Sequence, residues 1–259
     1  MSPPSPSKNR VLDAIILMAG TGSRLRGAEG AFLKPLVPIQ GRPLICYTID
    51  ALVRAGIQNV KAVVGFESAR LGAALKELLP SGIDLELIEN REWQKQNGIS
   101  VLAAKDHVTA PFLLTMSDHV FDPSIVDLLI QSADVNCLNV AIDKKVDSIF
   151  DLADAMKVQT RQDRVAAIGK DLTTFDAIDI GLFVSSLEIF NYLERAKRRS
   201  GNDCRLADGV RAMALEGKVR GVDIGDAWWQ DVDTPEMLAH AEKYLRTTQS
   251  PQTRSRGHG

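Results

Sequence analysis

Residues 17–36 read LMAGTGSRLRGAEGAFLKPL, with four glycines, two arginines and one lysine in twenty positions. A stretch of this make-up cannot pack a core, but it can wrap an anion. Met18 and Ala19 open it, and Gly20 and Gly22 free the backbone to aim its N–H groups at a phosphate chain. Arg24 and Lys34 add fixed positive charge, and an arginine can hold phosphate oxygens bidentately. A dinucleotide-binding turn would need a third glycine where Leu25 stands, and a P-loop would need Gly-Lys-Ser/Thr, which is absent. The plain alternative is an ordinary strand–helix turn with solvated charges. The arginine two residues after the second glycine, and the KPL that follows, weigh against it. Asp118 is a candidate carboxylate for a metal ion, with a helix or turn cap as the plain alternative. It ends the apolar run FLLTMS (112–117), which places it at a strand's carboxyl end.

The elements that must position these residues alternate. Strands are expected at 13–18, 59–65, 85–89 and 112–117, and helices at 43–54, 68–79, 98–107 and 124–131. Strand–helix alternation implies a mostly parallel sheet with helices on both faces, binding its ligand at the carboxyl ends of the strands. Beyond residue 135 the pattern becomes β-rich, with strands at 135–142, 156–160, 165–168 and 178–185, followed by helices at 187–199, 205–216 and 235–246. Leu52, Leu71, Leu75 and Leu78 form a core stripe. We read one domain over 12–246, with polar, Pro-containing tails at 1–11 and 247–259 expected to be disordered.

Composition narrows the class. The 259 residues are 45% hydrophobic and carry a net charge of −2, so the chain can bury a core of its own and shows no nucleic-acid-binding charge. No apolar run is long enough to cross a bilayer, and the polar N-terminus is not a signal peptide. Cys46, Cys137 and Cys204 form no C-x-x-C pair. Cys46 and Cys137 lie in apolar runs and read as small core residues in a reducing cytoplasm. A homo-oligomer is compatible with these features.

The string LMAGTGSRLRG…KPLVPIQGRPLI resembles the signature of the nucleotidyltransferases that couple an NTP to a sugar phosphate or a similar phosphate. Three further stretches, NGISVLAAKDHVTAPFLLTMSDHVFD (97–122), RVAAIGKDLTTFDAIDIGLFV (164–184) and WWQDVDT (228–234), are similar to CTP:inositol-1-phosphate cytidylyltransferases. The resemblance spans residues 13–246. It implies a Rossmann-like three-layer fold with a β-rich C-terminal extension, and a reaction in which an alcohol phosphate attacks the α-phosphorus of CTP and pyrophosphate leaves. Bifunctional relatives carry a membrane-embedded transferase after this domain. None follows here, so a stand-alone soluble enzyme is expected.

Such a reaction is an electrostatic problem, because two anions must meet. At about 4 Å and an effective dielectric near 20, two unit charges interact by about 4 kcal/mol. Arg24, Lys34 and a Mg²⁺ held by carboxylates offset these repulsions. The resemblance makes Asp231 the second metal ligand beside Asp118. Asp233 would point the same way from an extended strand, and can share the metal or cap the helix from Pro235; Thr234 is an equally good cap. Base selection is expected from Gly65, Asn97, Gly98 and Ser100. Hexose-1-phosphate relatives usually carry Gln-Pro-x-Gly where this chain has KQNGIS, which favours cytosine. On the acceptor side Lys157 and Lys170 are candidates for its phosphate, and Asp143, Asp179 and Gly181 for polyol hydroxyls. A cationic acceptor such as phosphocholine would call for an aromatic cage, and aromatics make up only 5% of the chain, although Trp228 or Trp229 could line a pocket, with packing the role of at least one. Phosphonate, phosphocholine and hexose-1-phosphate acceptors remain alternatives, as does a catalytically silent nucleotide-binding subunit. The four histidines show no metal-binding spacing, and His119 reads as a surface or supporting residue.

Overall fold

The computed structural model describes residues 11–25 and 33–249. A nine-stranded mixed sheet runs through the molecule. Strand β1 (Asp13–Leu17) lies between two parallel neighbours, which are β4 (Asn59–Val64) and β6 (Phe112–Met116), and β5 (Asp84–Glu89) extends the parallel set beyond β4. On the other side β11 (Ala177–Ser185) pairs antiparallel with both β6 and β8 (Leu138–Asp143). Then come β12 (Val219–Asp223), β10 (Arg164–Gly169) and β9 (Lys157–Arg161). The order is β5-β4-β1-β6-β11-β8-β12-β10-β9, so the β-rich half joins the same sheet rather than forming its own.

Two apolar layers cover the faces. Strand β1 shows the two-residue alternation that produces them: Ala14 and Ile16 pack into one buried cluster, Ile15 and Leu17 into the other. The first layer is built on helices α1 (Leu44–Arg54), α2 (Ser68–Leu78) and α4 (Ser124–Ser132); the second on α3 (Asn97–Ala103), α5 (Glu188–Arg199) and α6 (Leu206–Leu215). All three cysteines are buried and free. A third, smaller cluster unites Leu25, Val37, Ile39, Leu44, Val120, Val232 and Ala241, so it fastens the glycine-loop end to helix α7 (Pro235–Gln249).

Two short ribbons matter for the site. Strands β2 (Pro38–Ile39) and β3 (Arg42–Pro43) form one hairpin; β7 (His119–Phe121) and β13 (Trp229–Asp231) form the other, antiparallel, with Asp231 opposite His119. Strands β2, β3, β7 and β12 were not expected from the sequence, being short or lacking a clear alternation, whereas β13 is the extended stretch expected around Asp231. Helix α7 continues to Gln249, three residues past the expected end at 246, because no glycine or proline intervenes before Pro251. Val11, assigned to a tail, is buried in the first layer. The rest of both tails lies outside the described residues. No helix among the described residues is long and apolar enough to cross a membrane.

Candidate active site

The carboxyl ends of β1 and β6 define the site. Met18, Ala19, Gly20, Gly22 and Arg24 follow β1, and Asp118 follows β6, whose partner residues Leu17 and Met116 lie side by side. Gly22 has φ +62°, and a Cβ there would lie 2.6 Å from Lys34 Cβ, so the glycine is what lets Lys34 lie against the loop. The antiparallel β7–β13 ribbon delivers the C-terminal motif, with the Val232 N–H donating to the Asp118 carbonyl at 2.8 Å.

Lys34 is the centre. Its side chain is only 9% exposed, and its ammonium donates to Asp118 Oδ2 at 2.6 Å and to Asp233 Oδ1. Burial works against its charge, but the two carboxylates outweigh it and the ammonium is held above its ordinary range. Arg24 donates to Asp233 Oδ2 at 2.6 Å and, through its other terminal nitrogen, to Asp154 Oδ2 at 2.7 Å. Asp154 Oδ1 accepts from Lys170 Nζ at 2.5 Å. An alternating string of charges therefore crosses the cleft: Asp118, Lys34, Asp233, Arg24, Asp154, Lys170.

His119 is no surface residue. Its Nδ1 lies 2.7 Å from Asp118 Oδ1, and its ring stacks on Trp229 at 6.2 Å and 12°. Burial opposes its protonation, but Asp118 prevails, with Asp231 adding, and the imidazole is held above its usual value. Burial likewise resists the ionisation of Asp118; Lys34 and His119 overcome it and keep the carboxyl far below the ordinary range. Asp231 is different. Burial pushes it up, with Asp233 and Asp118 adding repulsion that His119 only partly relieves. Its Oδ1 accepts from Gln230 Nε2 at 3.0 Å.

Two cavities meet along this string. The smaller, about 340 Å³, is lined by the glycine loop, Lys34, Trp93, Asn97, Ser100 and Asp118. The larger, about 680 Å³, is lined by Asp143, Asp154, Lys170, Asp179, Gly181, Asp231 and the rings of Phe150, Trp228, Trp229 and His240, with Arg205 and Arg211. The glycine loop and Lys170 with Asp179 thus fall on separate walls, and Arg24, Lys95, Asn97, Met116, Asp118 and Asp233 line both cavities.

Several expected contacts are differently used. Gly98 donates its N–H to the Cys204 carbonyl, and a Cβ would sit 2.6 Å from that oxygen; its smallness admits α6, not a base. Gly65 leaves room for Trp93, since a Cβ would fall 2.3 Å from that of the tryptophan. Neither glycine lines either of these two cavities. Asn97 and Ser100 do reach the cleft, although Asn97 Oδ1 accepts from the Leu206 N–H at 2.9 Å and Ser100 Oγ accepts from Asn90 at 3.0 Å. Lys157 leaves the acceptor side: its ammonium donates to the Lys170 carbonyl at 2.8 Å and lies over Phe175, because β9 turns that face outward. Asp143 is buried, with Oδ2 accepting from the Trp229 indole at 2.9 Å and Oδ1 from Lys145, so it anchors an aromatic wall rather than a substrate hydroxyl. Asp179 lines the larger cavity. Its Oδ1 accepts from Gly181 N–H at 2.8 Å, and burial raises it to about 7 against that bond and His119.

Asp154, His119 and Trp93 carry no motif or spacing that marks them in the sequence. The clustered aromatics likewise escape a composition count, which averages over the chain.

The carboxylates also bear on a metal. Among the described residues no group of three or more His, Cys, Asp and Glu side chains could by itself hold one. The carboxylate oxygens of Asp118, Asp231 and Asp233 are nevertheless of the kind a hard cation takes, with Lys34 already bridging Asp118 and Asp233.

Taken with the parallel strands that carry it, a glycine loop facing lysine-bridged carboxylates is suited to hold a phosphate chain. Residues 14–156 match the family model described as the MobA-like NTP transferase domain, and the chain belongs to that family. Among curated relatives it is 33% identical over 235 residues to the bifunctional IPC transferase and DIPP synthase of Thermococcus kodakarensis, and 31% identical over 239 residues to that of Aquifex aeolicus. Each match covers 91% of this chain, yet the chain spans about half the length of these relatives, 51% and 52%. The inositol-1-phosphate CTP transferase from T. maritima superposes with a TM-score of 0.81 at 25% identity, over 91% of this chain and 95% of that one. A UDP-glucose pyrophosphorylase solved with UDP-glucose, 16% identical with a TM-score of 0.79, shares the fold.

Proposed function

We propose that this protein is a Mg²⁺-dependent cytidylyltransferase that joins CTP and inositol-1-phosphate to give CDP-inositol and pyrophosphate. The observation that carries the reading is the likeness, over nine-tenths of both chains, to the inositol-1-phosphate CTP transferase.

In this reading the triphosphate lies against the glycine loop, where Arg24 and Lys34 neutralise it, and Trp93 flanks the base. A phosphate oxygen of the acceptor attacks the α-phosphorus, and the bond to the bridging oxygen of pyrophosphate breaks. The nucleophile is already an anion, so no strong general base is needed; charge compensation dominates. Asp118 and Asp231, with Asp233 beside them, would hold Mg²⁺, which supplies charge neutralisation at the phosphates when bound. Lys170, Arg205 and Arg211 provide positive charge on the acceptor side. Asp179 and the Gly181 backbone face the acceptor ring.

One observation favours a different acceptor. Six aromatic rings, of His119, Phe150, Phe183, Trp228, Trp229 and His240, border the larger cavity, and a quaternary ammonium could use them. Several faces are already taken, however: Trp228 stacks on Tyr244 at 3.9 Å and Phe150 on His240 at 4.6 Å. The test is pyrophosphate release and product analysis with CTP, Mg²⁺ and a panel of inositol-1-phosphate, phosphocholine, an aminoalkylphosphonate and glucose-1-phosphate. CDP-inositol formed with the highest kcat/KM is expected. A better phosphocholine, phosphonate or hexose acceptor overturns the inositol assignment, and a preference for UTP or dTTP overturns the cytidylyltransferase assignment as well.

A further inference from the structure

Asp154 stands where the two subsites meet. It lies in the segment between β8 and β9, and its two oxygens face opposite ways. Oδ2 accepts from Arg24 of the glycine loop at 2.7 Å, and Oδ1 accepts from Lys170 of the acceptor half at 2.5 Å. A carboxylate between a guanidinium from one subsite and an ammonium from the other occupies an anion position. It takes the hydrogen-bond donors that a phosphate group would need there, and its charge opposes a second anion beside it.

We infer that Asp154 is an internal stand-in for a substrate phosphate, filling the anion position between Arg24 and Lys170 and yielding it when substrate arrives. The inference rests on the nucleotidyltransferase reading and adds to it a residue that sets affinity by competing with substrate. The ligand class is a phosphate group, either of the nucleotide or of the acceptor. The surrounding segment is built to let this side chain go. It is fastened independently, by Lys145 to the carbonyls of Gly225 and Ala227 and by Phe150 stacked on His240. Arg24 keeps its second partner, Asp233, when Asp154 leaves. Asp154, Arg24 and Lys170 are 36%, 56% and 46% exposed. The exchange of a carboxylate for a phosphate therefore takes place in contact with water, where each pair is worth little and is readily traded.

The test is calorimetric binding of three probes to the full chain: inorganic phosphate, inositol-1-phosphate and CTP without acceptor. Asp154→Asn and Asp154→Ala should bind at least one probe roughly three- to tenfold more tightly than the parent, the scale of losing two partly exposed competing pairs. A gain confined to CTP assigns the position to a nucleotide phosphate, and one confined to inositol-1-phosphate to the acceptor. Asp154→Glu, which keeps the carboxylate, should stay near the parent, and adding Lys170→Ala to Asp154→Asn should erase the gain. Weaker or unchanged binding of all three probes in both Asp154→Asn and Asp154→Ala overturns the inference, because a carboxylate that merely orients the two cations would give that result. Failure of the cytidylyltransferase reading would appear separately, as absence of CDP-linked product from the unmodified protein.

Discussion

Lys34 shows how much one side chain can carry. It neutralises Asp118 and Asp233 in a place almost closed to water. Lys34→Met would leave two carboxylates facing each other with their shared cation removed. Breaking a buried pair in this way costs about 3–5 kcal/mol, so a clear fall in thermal midpoint is expected, and adding Asp118→Asn should restore part of it. A midpoint equal to the parent's would show that the bridge is not a structural centre. Asp118→Asn and Asp231→Asn should each lower turnover at least about 100-fold, the scale of a major electrostatic contribution; near-parental turnover in both would refute their assignment to the metal. Arg24→Ala should weaken CTP binding while leaving acceptor affinity, measured separately by calorimetry, little changed, since Lys170 on the far wall is untouched; if only acceptor binding suffers, the glycine loop has been assigned to the wrong substrate. The sequence made Arg24, Lys34 and Asp118 legible because the loop and the strand end are local patterns. Asp154 and His119 were not legible, because their roles come from partners 130 residues away in one case and from burial in the other. Lys157 misled because alternation in a short strand says nothing about which face reaches the cleft.

At the level of elements, the bulge in β11 does the most. Its register with β8 shifts between Asp179 and Phe183, and Gly181 within it has φ +75°. A Cβ at that position would fall 2.7 Å from His119 Nε2 and 2.7 Å from Met116 Cε. The glycine therefore lets the backbone approach the imidazole that pairs with Asp118. Gly181→Ala combines a left-handed backbone with that clash, so a loss of about 1–3 kcal/mol is expected from the strain alone. Displacement of the ring should also lower turnover more than a simple stability loss would. Activity and thermal midpoint both equal to the parent's would show that the close approach carries nothing. The long elements were legible in the sequence, because β1, β4, β6 and α1 have clear apolar periods and glycine or proline stops. The β7–β13 ribbon was not, because a three-residue strand has no period to read. Yet this ribbon is what brings Asp231 opposite His119.

Across the whole molecule, the site gathers buried titratable groups, among them Asp118, His119 and Asp179, and that has a consequence for pH. Asp179 is raised by burial to about 7, well above the 3.8 of an unperturbed aspartate. In the folded protein it therefore holds its proton over a range where the unfolded chain has lost it. A group raised in this way adds stability that is fully present below about pH 4 and is lost as pH rises through about 7. Asp118 works in the opposite sense. Lys34 and His119 keep it ionised in spite of burial, so its contribution is present above about pH 4 and is lost only as the pH falls well below that. Stability set by these two groups alone should be greatest near pH 4, decline between about pH 4 and 7, and level off above that. Asp179→Asn removes this decline, because an amide stays neutral at every pH. The thermal midpoint of Asp179→Asn minus that of the parent is therefore expected to be small near pH 4, to grow up to about pH 7 and to hold steady above it, measured by calorimetry in constant ionic strength. A difference that is flat with pH, or that shrinks as pH rises, would show that Asp179 is ionised in the folded protein at neutral pH and that His119, not burial, governs it.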